Sequence, residues 1–488
     1  VTAGPPQGGI SGRILTSALF GLFALGNVLV PVFLGKTMLA LVSAVAACGL
    51  LVLLWRSDIF GARVSWRVLG VSFAAALILL LLGGEGRLFY ANEDWQIRDA
   101  VLADLARNPW PFAYQTHVGE QVLRAPLGMY LLPALFGPGA EIALLACNTV
   151  LLGLMLALGS LLFPGGRARW IALAVFVAFS GLDLLGNVLA GSAGSFDHLE
   201  RWAPGLQYSS VLTLIFWVPQ HAFAGWFCAL LYLLHRRGEV SLGTFAASLP
   251  IVAIWSPLAM IGALPLVAWA ALRTIRAIGL RDIAAGALAL AVSLPALAYI
   301  AADAQQVSSG LAVPPLATLA LFLALEIAPF VWIVYRLRAT GRFGLDSLVL
   351  AGVMLALIPF LHIGDNGDFA MRASIAPLAV LAVMVAASLI DTDWAAHRRA
   401  GIAAVLLLSL GAVTGVAEVA RALRHAPAPP PGCTLPEVWT RQTGVVADIA
   451  TYLARIHAMP SVLRPQSPVL IVTRATPVCW SHSWKVPR

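Results

Sequence analysis

Charge is what this chain lacks most. Only 11% of its 488 residues are Asp, Glu, Lys or Arg, while 60% are hydrophobic; soluble domains carry about 25% charged residues. So little charge cannot cover a surface that faces water, so the bilayer must be the solvent for most of the chain. The alternating segments of about ten residues that a membrane barrel needs are missing as well. Cysteine is scarce, with five residues, and no CxxC or mixed Cys/His spacing points to a structural zinc site. There is no basic patch either: the net charge of +8 comes from arginines scattered through short loops, which argues against a nucleic-acid partner.

What is present is a succession of apolar runs of about 20 residues, the length that spans a hydrocarbon core. The predicted fold is an all-α polytopic membrane protein of about 13 transmembrane helices, at 14–34, 38–55, 66–84, 141–163, 169–187, 209–234, 242–256, 257–272, 283–302, 314–335, 345–362, 371–390 and 400–420. The first run, starting near Ile14, reads as a retained helix rather than a signal peptide. Residues 1–65 form an N-terminal hairpin, 66–420 a transmembrane core with an outer loop at 85–140, and 421–488 a small C-terminal tail. The short apolar piece from Pro126 to Phe136 reads as interfacial or re-entrant.

Arginine sets the expected orientation. With the N-terminus cytoplasmic, one set of loops holds Arg13, Arg56, Arg63, Arg67, Arg167, Arg169, Arg236, Arg237, Arg273, Arg276, Arg281, Arg336, Arg338, Arg342, Arg398 and Arg399. The opposite loops, leaving out the tail, hold Lys36, Arg87, Arg98, Arg107, Arg124, Arg201 and Arg372. Sixteen against seven is a positive-inside bias. In a bacterial inner membrane the loops at 85–140, 188–208 and 363–370 and the tail then face the periplasm. There Cys433 and Cys479 meet an oxidising compartment, either as a disulfide or as two thiols. Cys48, Cys147 and Cys228 fall in apolar spans as small hydrophobes. The tail opens on Ala-Pro-Ala-Pro-Pro-Pro-Gly, an extended spacer, followed by a helix-like Val445 to Ile456 and a strand-like Pro468 to Thr473.

Four carboxylates, Glu93, Asp94, Asp99 and Asp104, crowd into twelve residues just past a span. After Asp94, the residues Trp95, Val101, Leu102 and Leu105 recur at helical spacing, which predicts an amphipathic helix on the membrane surface ending before Pro109. Asp94 is either its N-cap or a general base at the membrane face, with Glu93 beside it.

This acidic pair and juxtamembrane helix are followed by Trp110-Pro111-Phe112-Ala113-Tyr114 and by Arg124-Ala125-Pro126-Leu127-Gly128-Met129-Tyr130-Leu131-Leu132-Pro133. Together they resemble the GT-C class of polyprenol-dependent glycosyltransferases. The segments Phe216-Trp217-Val218-Pro219-Gln220-His221-Ala222 and Asn366-Gly367-Asp368-Phe369-Ala370-Met371-Arg372-Ala373-Ser374 look like those of bacterial membrane proteins allied to that class. The resemblance covers roughly 66–390, although two spans precede the acidic loop where many members have one. It implies a polyprenyl-phosphate sugar donor, a glycan, lipid or protein acceptor, inversion at the sugar, and the loop acid as base or metal ligand.

Arg372 is then a phosphate contact, or else an interfacial anchor that snorkels. Arg124, Arg201, Tyr130, Asp99, Gln220 and His221 are further candidates for substrate binding. Asp94, Asp368 and His117 could hold a Mg or Mn ion, although Asp365 and Asp368 in Asp-Asn-Gly-Asp are foremost a turn and N-cap signal. The Asp197-His198-Leu199-Glu200-Arg201 cluster reads as a solvated loop.

Asp183 and Glu326 fall within spans, where carboxylates mark ion pathways. A transporter or flippase of lipid-linked sugars is therefore the rival expectation, weakened by the lack of matched broken helices in the sequence. An O-antigen polymerase or ligase, relying on arginine and histidine, and a non-catalytic assembly subunit are further alternatives.

Overall fold

The computed structural model describes residues 8–56, 61–191, 198–337, 340–364, 367–443, 449–474 and 478–481. It is an all-α membrane protein: among the described residues six helical segments are long and apolar enough to cross a bilayer, Gly12–Phe33, Thr37–Trp55, Gly137–Leu162, Arg167–Leu189 (interrupted at 179–182), Leu280–Ala301 and Trp394–Arg424. The bent pair Leu316–Glu326 and Ala328–Arg336 makes a seventh if the two helices count as one span. The shorter apolar helices Trp66–Leu82, Leu242–Val252, Pro257–Arg273, Leu345–Phe360 and Ile375–Asp391 complete the bundle. The count of 13 is finer than these lengths carry. Leu242–Val252, for instance, rises only about 16 Å, half of a hydrocarbon core, before the chain turns at 253–256.

Three stretches expected as continuous spans are broken. Arg167–Ala178 and Asp183–Leu189 are separate helices. Leu316–Glu326 and Ala328–Arg336 meet at a 41° bend. The run at 209–234 divides into Val211–Trp217 and Pro219–Arg236; Pro219 has no N–H to continue the first helix, so a second one starts there.

The loop helix Asp94–Arg107 forms where the spacing placed it and gives way to extended backbone at Asn108. It does not lie on a surface with a wet polar face, as expected. Gln96, Arg98, Asp99 and Asp104 are as buried as Trp95 and Leu102, because the tail covers that face. Helix Leu435–Thr443 packs on it, and Asp104 Oδ2 accepts hydrogen bonds from Leu435 N (2.8 Å) and the Tyr114 hydroxyl (2.7 Å). Arg107 donates to the Pro431 carbonyl at 3.0 Å, and Arg87 donates to those of Ala428 and Pro429. An extended proline-rich segment makes no internal hydrogen bonds, so its carbonyls are free to accept them.

The tail is likewise more than an appendage. Its strands Leu453–Arg455 and Val469–Val472 flank the loop hairpin Phe112–Thr116 and Gly119–Leu123 in one four-stranded sheet. Leu453–Arg455 pairs antiparallel to the hairpin and Val469–Val472 parallel to it. Arg455 forms a two-toothed ion pair with Asp303 (2.6 and 2.8 Å), and Cys433 and Cys479 are joined in a disulfide. Of the expected helix from Val445 to Ile456, residues 445–448 lie outside the described residues, while 453–455 are strand. The Pro126 to Phe136 piece is a buried turn of helix, Leu131–Ala134. It is tied to the bundle by Gly128 N bonding to the Ile254 carbonyl at 3.0 Å. The Trp255 indole fills the space that a side chain at Gly128 would need.

Candidate functional site

Helix Asp94–Arg107 has its N-terminal backbone satisfied by Asn92, whose Oδ1 accepts from Asp94 N at 3.1 Å. The Asp94 carboxylate therefore does no capping. It takes a hydrogen bond from Arg98, one turn on, at 3.1 Å, while its own side chain stays 38% exposed. Arg98 is buried, and its other terminal nitrogen reaches the Tyr130 hydroxyl at 3.5 Å. Its Nε has no partner. Burial opposes the Arg98 charge, but Tyr130, Asp94 and Tyr452 outweigh it and hold the guanidinium above its ordinary range.

A second arginine and acid pair mirrors the first. On helix Asp368–Ala373, Arg372 and Asp368 pair at 2.6 Å, again one turn apart, and Arg372 Nε is buried without a partner. The two pairs face common neighbours. The charges of both Arg372 and Arg98 act on the His221 ring. Arg98, Asp94, Arg372 and Asp368 all act on the Tyr452 phenol, which burial pushes above its usual range.

His221 lies in the first turn of helix Pro219–Arg236, and its Nδ1 is 2.8 Å from the Ser256 hydroxyl. Ser256 is the N-cap of helix Pro257–Arg273. Two helix N-termini thus meet within the field of both guanidiniums, and each N-terminus favours negative charge. The neighbouring Gln220 is buried with its Oε1 unpartnered. Such an arrangement can hold an anion such as a phosphate, with a half-exposed carboxylate on its rim.

Comparison of the chain with family models, with curated proteins and with solved structures gives no match. The resemblance read from the sequence thus rests on its own residues.

The remaining sequence candidates stand apart from this cluster. Glu93 is 3.8 Å from Arg201, which is 62% exposed. Asp99 is held by Arg87 at 3.0 Å, and Arg87 in turn grips Glu141. Arg124 donates to the Ala450 and Ile300 carbonyls and so ties loop, bundle and tail together. His117 is exposed at the tip of the Phe112–Leu123 hairpin. Asp365 and Asp197 lie outside the described residues.

A metal ion fits poorly with Asp94, Asp368 and His117. Both acids already have a guanidinium, and among the described residues no three His, Cys, Asp or Glu side chains gather to hold an ion. Two cavities, of about 100 and 650 Å³, are lined by apolar residues such as Leu152, Phe176, Trp226 and by Ile171, Leu408, Trp394 respectively; none of the cluster residues lines either.

Several functional groups escaped the sequence reading. Arg98 had a local signal, its place one turn after Asp94, and Ser256 had another, a hydroxyl residue just before a proline at a helix start. Tyr452 had none. His198, read as a loop residue in solvent, instead stacks on Trp217 at 4.5 Å. Burial, then the charges of Arg201 and Arg421, pushes it down to about 3. Its ring is therefore neutral, and its 4.0 Å approach to Glu418 is not an ion pair.

Proposed function

We propose that this chain is a multi-spanning glycosyltransferase of the bacterial inner membrane that moves a sugar from a polyprenyl-phosphate donor to an acceptor on the periplasmic face. The observation that carries the proposal is the meeting of two helix N-termini at His221 and Ser256, within reach of the charges of Arg98 and Arg372, with Asp94 paired to Arg98. In an inverting transfer, Asp94 takes the proton of the acceptor hydroxyl as that oxygen attacks the anomeric carbon. The bond to the lipid phosphate breaks as it does so, and Arg98 and Arg372 stabilise the departing phosphate charge. Tyr130, fixed against Arg98, and Gln220 line the same corner. No step requires a divalent ion.

The test is transfer or hydrolysis of a labelled polyprenyl-phosphate sugar by the purified chain. Activity lost in Asp94→Asn with folding intact supports the proposal; full activity in Asp94→Ala refutes it. A second reading has its own support. The broken helices carrying Asp183 and Glu326 suit an ion-coupled transporter or flippase of lipid-linked sugars. Movement of such a lipid across a vesicle membrane, abolished by Glu326→Gln, would favour it. The paired arginines with His221 also suit a lipid-linked glycan polymerase or ligase, which shares the leaving group and differs in acceptor.

A further inference from the structure

Away from the outer cluster, two helix interruptions cross inside the bundle. One lies between Arg167–Ala178 and Asp183–Leu189, the other at Ile327 between Leu316–Glu326 and Ala328–Arg336. They are stitched together by Leu182 N bonding to the Leu325 carbonyl at 3.3 Å. Each break carries a carboxylate, Asp183 on one and Glu326 on the other. Asp183 is 1% exposed and Glu326 2%; Glu326 Oε2 lies against Gly181, two residues before Asp183, and the two carboxylates act on each other.

Asp183 Oδ2 accepts from the Ser180 hydroxyl (2.9 Å) and the Thr414 hydroxyl (2.8 Å). Glu326 Oε1 accepts from Trp202 Nε1 at 3.2 Å, while Oε2 is buried with no donor among the described residues. Gly181 leaves that carboxylate its space, since a side chain there would collide with it.

Among the described residues the surrounding titratable groups bring no positive charge into contact with the pair. Glu200, also buried, accepts from Ser210 N and Gln207; burial, then the charge of Asp183, pushes it up to about 8. The charge of Glu326 reaches the Tyr208 phenol, which donates to the Leu355 carbonyl. Glu418 lies beyond Glu200, and the nearby cation, Arg421, is bound to Glu418 at 2.8 Å. Neutral His198 stands beside that pair. Among the described residues no ion pair reaches Asp183, Glu200 or Glu326.

Two ionised carboxylates have only acceptors to offer each other, and in a medium of low dielectric their contact is costly unless a positive charge sits between them. We propose that the crossing of the two broken helices is a binding site for a single positive charge, a sodium ion or a proton, held between the Asp183 and Glu326 carboxylates. Ser180 and Thr414 add hydroxyl oxygens suited to a small hard cation, and discontinuous helices are where membrane proteins commonly place such sites. The site is independent of sugar transfer and needs no donor to be tested.

The experiment is thermal unfolding of the full chain in detergent micelles, followed by tryptophan fluorescence. Wild type, Glu326→Gln and Asp183→Asn are compared in sodium chloride against choline chloride, and from mildly acidic to mildly alkaline pH. A sodium site raises the wild-type midpoint by about 5 °C at saturating sodium, with no response to choline and none in either variant. A proton site shows no sodium response; the wild-type midpoint falls as pH rises, and Glu326→Gln, whose carboxamide supplies the missing hydrogen, loses that part of the slope. Glu200→Gln separates any contribution from Glu200. Asp183→Asn gives the same comparison from the other carboxylate, so the failure of one variant to fold leaves the other to decide. A wild type indifferent to sodium, with a pH slope shared by the variants, overturns the proposal.

Discussion

The cluster around Asp94 and Arg372 holds partly exposed carboxylates and the crossing of the broken helices buried ones, and the two regions balance that charge in opposite ways. In the first, each acid has its own guanidinium: Asp94 has Arg98 and Asp368 has Arg372. Two helix N-termini then add further positive potential. At the crossing, Asp183 and Glu326 have hydroxyl and indole donors but no cation. A group left without its complement inside a protein carries a desolvation cost, so its complement is the natural ligand. On the two proposals above, the first region receives an anion and the second a cation.

The largest effect expected is on chemistry. Asp94→Asn keeps the shape of the half-exposed side chain but removes the base, so transfer from a polyprenyl-phosphate sugar should fall about 10²–10⁴-fold with the unfolding midpoint unchanged. If Glu326→Gln instead abolishes activity while Asp94→Asn leaves it intact, the roles of the two regions are reversed.

A second substitution turns a partnered acid into one like those at the crossing. Arg421→Ala leaves Glu418 buried, with Trp217 as its remaining bonded partner at 2.8 Å, and should cost about 3–5 kcal/mol of stability in denaturant titrations. A loss under 1 kcal/mol (roughly the value of a surface pair) would mean that guanidinium pairing is not what distinguishes the regions.

Asp104 offers a measurement outside the spans. Burial pushes its carboxyl up to about 7, against the Leu435 and Tyr114 hydrogen bonds that pull it down. The folded chain then holds the proton more tightly than the unfolded one. Its contribution is fully present below the ordinary 3.8 and is lost as pH rises toward 7, by up to about 4 kcal/mol. Asp104→Asn should flatten that part of the profile, and an unchanged slope would place the titration elsewhere.

The smallest effect expected concerns the tail that roofs the outer cluster. Removing the Cys433–Cys479 bond with Cys433→Ser should cost about 2–4 kcal/mol. It should be seen as faster hydrogen exchange in the Phe112–Thr116 and Gly119–Leu123 strands, while the helices at the crossing keep their protection. Equal loosening of both regions would show that the tail does not serve the outer one alone.

Much of the fold could be read along the chain. The helix after Asp94 is marked by the spacing of Trp95, Val101, Leu102 and Leu105 and by Pro109, and the Val469–Val472 strand by its run of β-branched and apolar residues. The burial of that same helix was not legible, because its cover, Leu435–Thr443, comes more than 300 residues later. The break at Ile327 carries a local signal, Pro329 at the start of the second helix, whereas Gly181 alone is a weak signal for the break at 179–182. In the candidate site, Asp94, His221 and Arg372 were each identified singly, but nothing local joined them.

The sequence by itself determined the solvent, the helical class and the places where charge is tolerated, since hydrophobicity adds residue by residue and helical period is local. Only the tertiary structure decided which charges meet. An ion pair depends on the distance between side chains far apart in the chain, and its worth depends on burial by still other elements. Hence Arg98 could pair with Asp94 from its own helix and still share His221 with Arg372, while Asp183 and Glu326 were left to face each other.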